Sequence, residues 1–160
     1  MPSNDPIVAA IVALLTRIGI PVIAEPVPDD TLLPGATVRD GALVFDPGRI
    51  PYPGDLLHEA GHIAVTDPAL RSTLSEVPSD PAEEMAAIAW SYAAALEIGI
   101  DPAIVFHADG YQGGGGYLLP ALAADGAPGV PMLQYFGMTV TPRHATDGVA
   151  PFPKMVRWLR

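Results

Sequence analysis

His58-Glu59-Ala60-Gly61-His62 is the stretch of this 160-residue chain whose residue types and spacing together specify a reaction. On an α-helix, two imidazoles four residues apart share one face and stand about 6 Å apart along the axis, so one metal ion can touch both. Glu59 is rotated to the side of that pair, where it reaches a water on the metal rather than the metal itself. A zinc ion lowers the pKa of such a water towards 7, and a carboxylate that accepts its proton leaves a nucleophile able to attack a polarised carbonyl. The competing reading is a surface pair of histidines around a solvated glutamate. With only four His in the chain, coincidence is a poor explanation of the pentapeptide. No cysteine is present, so thiolate sites are excluded and any metal must be held by His, Asp or Glu. Gly61 costs about 1 kcal/mol relative to alanine in a helix interior. Either another backbone approaches closely there, or the helix simply tolerates it.

Two histidines require at least a third ligand, because a catalytic zinc usually has three protein ligands and an open position. Glu83 and Glu84 begin the strongest helical signal of the chain, EEMAAIAWSYAAALEIGI. At 100° per residue, Met85, Ile88, Ala89, Tyr92 and Leu96 define its core stripe, and Glu84 lies nearer that stripe than Glu83. Glu84 is therefore the expected third ligand. Glu83 is expected to face water and to complement the helix dipole. A His₂Glu set with an open position favours Zn²⁺ over iron or manganese.

The segment from about Asp55 to Leu96 resembles the gluzincin group of zinc metallopeptidases, in which HExxH on one helix is completed by a Glu at the start of a following helix. LLHEAGH is similar to the active-site helix of that group. EEMAAIAW is loosely similar to the signatures of M48-type and ImmA/IrrE-type peptidases, although neither ExxAD nor the EAN-type signature is intact. The third histidine of HExxHxxGxxH is absent from HEAGHIAVTDP. The resemblance implies His58, His62 and Glu84 as metal ligands, Glu59 as catalytic base, and hydrolysis of a peptide bond.

Such a hydrolase also needs a donor for the developing oxyanion. His107 and Tyr111, in FHADGYQGGGG, combine two donors with a glycine run suited to closing over a substrate. Tyr92, Arg143 and His144 are further candidates. Asp67 and Asp80 suit either helix caps or partners that orient a ligand histidine. Trp90, Trp158, Tyr135 and Phe136 are assigned to packing.

The elements that must position these residues are short, because 19 prolines and 16 glycines punctuate the chain. A first helix from about Asp5 to Arg17, capped by Ser3 or Asn4, is apolar enough to be buried. PVIAEPV and GALVFDP read as extended pieces of a small β-sheet, with their prolines placing them at edges. The metal-bearing helix spans Pro53 to Val65 and is opened by Asp55. A loop from Asp67 to Asp80 leads to the second helix, Pro81 to about Ile98, and short helices follow in 101–110, 117–125 and 130–139.

The sum is one α+β domain over 1–160, a minimal zincin-like unit with a small sheet and an HExxH helix packed on a Glu-bearing helix. A net charge of −10 disfavours nucleic acid and anionic lipid. No apolar run of 18 residues offers a membrane span, and Ile7–Leu15 lacks the basic flank of a signal peptide. The cytoplasm is the expected compartment, and a peptide or protein the expected substrate. The oligomeric state is open. The alternative to an enzyme is a zinc-binding regulatory or protein-interaction module without turnover, which would not require Glu59.

Overall fold

The computed structural model describes residues 4–77, 80–110 and 115–160. Helix α1 (Pro6–Ile18) starts where Pro6 fits the first turn and Asp5 accepts a hydrogen bond from the Ile7 amide at 2.8 Å. The cap is thus Asp5 rather than Ser3 or Asn4. Gly19, with φ 92°, ends the helix. Strands β1 (Val22–Ala24), β2 (Ala36–Arg39) and β3 (Ala42–Phe45) form one mixed sheet in the order β1-β3-β2, with β1 parallel and β2 antiparallel to β3.

Two expectations for this region are corrected. β3 is the central strand and wholly buried, because its prolines lie outside the paired residues. β2 was not expected, although Asp40-Gly41, both at positive φ, forms the two-residue turn that pairs Arg39 with Ala42.

Helix α2 (Asp55–Val65) lies beneath β2 and β3 and packs most extensively on α4 (Pro81–Glu97). Between them, α3 (Pro68–Arg71) occupies part of what reads as loop in the sequence. Asp67 and Asp80 both act as caps, accepting from the amides of Ala69 and Ala82. α5 (Gly115–Ala123) and α6 (Val130–Tyr135) complete six α-helices among the described residues, in a mixed α+β architecture.

The core runs from Ile11 and Leu15 on α1 through Leu43 to Leu56, Leu57 and Ile63 on α2, and on to Trp90 on α4. α4 is buried nearly all round rather than along one stripe: Ala86 to Ser91 and Ala93 to Ala95 are inside, while Leu96 is exposed. No helix among the described residues is long and apolar enough to cross a membrane.

Candidate metal centre

Two glycines bring the site together. A Cβ at Gly61 would lie 2.8 Å from the Ala87 carbonyl oxygen and 3.3 Å from its Cα, so α2 and α4 touch backbone to backbone one turn from Glu84. Close approach, and not mere tolerance, is the reason for glycine there. A Cβ at Gly54 would lie 2.2 Å from the carbonyl oxygen of Ile104. That contact draws the 3₁₀ turn Pro102–Ile104 across the start of α2 and sets His107 beside Asp55.

Across the α2–α4 contact, His58 and His62 meet Glu84. The two Nε2 atoms are 3.1 Å apart, His62 Nε2 lies 3.0 Å from Glu84 Oε2, and His58 Nε2 lies 3.5 Å from Glu84 Oε1. Donors bound at about 2.0–2.1 Å to one tetrahedral ion stand about 3.3 Å from each other, so this spacing fits the edges of a zinc polyhedron. Among the described residues, these three form the group of His, Asp and Glu side chains able to hold a metal ion.

The protonation states fit as well. Burial, reinforced by the charge of His62, pushes His58 down to about 4, which leaves its imidazole neutral and able to coordinate. The hydrogen bond from His62 holds the Glu84 carboxyl below its ordinary value, outweighing partial burial. Glu83, one residue earlier, does not face water freely: its carboxylate lies 3.4 Å from Arg160 Nη1 and its side chain is 24% exposed.

Glu59 is buried, and burial raises its carboxyl to about 7, with Glu84 and Asp55 adding to the rise and His62 opposing it. Asp55 stands one turn before Glu59 on α2. Its own carboxyl is raised by burial and lowered by the bond to His107, 2.8 Å from Oδ1 to Nε2. The His107 ring stacks on Tyr52 at 4.0 Å and 10°, and the Tyr52 hydroxyl donates to Asp109.

These side chains surround an open cleft of about 430 Å³, walled by Leu32, Tyr52, Asp55, His58, Glu84 and His107. Glu59 and His62 are buried and are not part of that wall. No protein-family model, curated protein or solved structure matches the chain.

Of the residues expected from sequence, His58, His62, Glu84 and Glu59 are adjacent, and His107 lies on the cleft wall with His58 and Glu84. His107 is engaged through Nε2, while its Nδ1 is covered and has no partner among the described residues. Tyr111 lies outside the described residues, as does part of the glycine run. Tyr92 packs against Phe106 and Phe152, and His144 pairs with Thr141 on an exposed turn, so neither belongs to the cleft. Sequence reading missed Asp55 and Tyr52 as the partners of His107. Asp55 carried a signal, since it stands at i−4 from Glu59 and i−3 from His58 and so shares their side of the helix.

Proposed function

We propose that this chain is a zinc-dependent hydrolase, a peptidase of the gluzincin type acting on a peptide or protein in the cytoplasm. The observation that carries the reading is the convergence of three metal donors with a buried carboxylate, Glu59, on the residue that follows the first of them. Zinc bound by His58, His62 and Glu84 would supply Lewis-acid polarisation of the scissile carbonyl and a water of lowered pKa. Glu59, raised towards neutrality by burial, is suited both to accept a proton and to return it to the departing amine. His107 shapes the cleft wall rather than donating to the carbonyl oxygen, because Asp55 engages its Nε2, its Nδ1 is covered, and Tyr52 stacks on the ring.

One observation favours a second reading, a non-catalytic zinc module: Glu59 does not line the cleft. A peptide-library digest with the zinc-loaded protein and with Glu59→Gln separates the two. Cleavage that disappears in Glu59→Gln while zinc stays bound supports the peptidase. Equal cleavage by both proteins removes Glu59 from the chemistry, and no cleavage by either leaves the module as the better account.

A further inference from the structure

The carbonyls at the end of a helix have no partners within it and must find them elsewhere. At the end of α2 the His62 carbonyl accepts from the Thr66 hydroxyl, and those of Ile63, Ala64 and Val65 are taken by two arginines. Arg71 donates from Nε to Ile63 O at 3.3 Å and from Nη2 to Thr66 O at 3.3 Å. The Arg160 amide donates to Ala64 O at 2.9 Å, and its Nη1 lies 3.4 Å from Val65 O. Arg71 Nη2 also donates to Arg160 O at 2.6 Å, which joins the two arginines. Both guanidinium groups sit at the negative end of the helix dipole, where a cation is favoured.

Arg160 does more than cap. The same Nη1 reaches Glu83 Oε1, on the residue beside Glu84, and the guanidinium lies 3.9 Å from the centre of the Phe136 ring. Two residues earlier, Trp158 O accepts from the indole nitrogen of fully buried Trp90 on α4 at 2.9 Å. Residues 158–160 thus hold α4 at Trp90 and Glu83 and hold α2 at Ala64 and Val65, within three residues of His62. The pair Arg160–Glu83 is only 26% and 24% exposed, so solvent screens it less than a surface pair.

We infer that residues 158–160 clamp the two donor-bearing helices, with Arg160 as a positioning residue that sets the distance between the imidazole pair and Glu84. The inference rests on the metal-site reading above. It predicts that loss of a side chain outside the cleft weakens the metal, as loss of outer partners of metal ligands does by about 10–100-fold.

The test measures zinc affinity by competition with a chromophoric chelator, together with the visible spectrum of the cobalt-substituted protein. The proteins are wild type, Arg160→Ala, Glu83→Gln and their double variant. Each single change should weaken zinc about 10-fold or more and shift the cobalt bands. The double variant should be no worse than the weaker single, because both remove one link. A wild-type zinc affinity and cobalt spectrum, with only a lowered melting temperature, overturns the clamp. Should Arg160→Ala fail to fold, Glu83→Gln decides by the same two readouts, since it leaves residues 158–160 in place. A wild-type protein that holds zinc no better than the His58→Ala, His62→Ala double variant sinks the metal centre and the clamp together. Loss of zinc in the histidine variant alone sinks only the clamp.

Discussion

Replacing Gly61 with alanine adds one methyl group where the helix of the two histidines meets the helix of Glu84. The new Cβ would stand 2.8 Å from Ala87 O, whereas ordinary van der Waals contact begins at 3.4 Å. The helices must therefore separate by about 0.6 Å, and neither contacting atom is the end of a flexible side chain that could turn away. Glu84 precedes Ala87 by one turn on the same helix and moves with it. A zinc site accepts changes of about 0.2 Å in its ligand distances, so the displacement is roughly three times what the centre tolerates.

Stability responds less than metal affinity. Overpacking costs about 1–3 kcal/mol, and about 1 kcal/mol of helix propensity returns with alanine. The metal-free variant should melt within several degrees of wild type, at about 2–4 °C per kcal/mol for a chain of this size. Zinc affinity should fall by about 10–100-fold, the effect seen when the support of a ligand is disturbed. Chelator competition measures the affinity, and thermal melting of the metal-free proteins checks the fold. Zinc affinity within twofold of wild type would refute the claim that this backbone contact sets the site.

Three other outcomes follow from the same geometry. One zinc per chain should be found by metal analysis, and the His58→Ala, His62→Ala double variant should retain none after dialysis; full occupancy in that variant would remove the site. Glu59→Gln should keep zinc and fold yet lower peptide cleavage by about 10²–10⁴-fold, which product chromatography would read. Asp55→Asn, which leaves the three donors untouched and alters only the bond that holds His107 on the cleft wall, should preserve zinc affinity within about twofold; a loss of about tenfold or more by chelator competition would show that this bond supports the metal site.

The convergence of His58, His62 and Glu84 was legible because its information is local. HExxH fixes two donors by helix period alone, and the following helix offers a carboxylate in its first turn. A core stripe does not by itself distinguish Glu84 from Glu83. α4 is buried nearly all round, so no single apolar stripe orients it; the face that carries Glu84 is marked instead by Ala87, against which Gly61 packs. Glu83 was placed in water because its partner, Arg160, lies 77 residues away and no periodicity links them. Asp55 was read as a helix opener, which does not reveal its bond to His107. Strand β2 is four residues long, too short for its alternation to stand out between turn residues. Contacts that cross the chain, rather than local propensity, account for the misses at Glu83 and Asp55.

Helix α2 buries every residue except His58. Its amide protons should therefore exchange with solvent only through global opening, among the slowest in the molecule. The histidine pair rides on the segment least able to fray, so the entry and exit of a bound zinc would not depend on that helix loosening. Zinc would exchange from the cleft side, where His58 and Glu84 keep 14% and 39% of their side-chain surface while His62 keeps 5%. A chelator would then strip the ion at a rate set by access to His58 and Glu84, with His62 the last donor released and the first shielded when an ion returns.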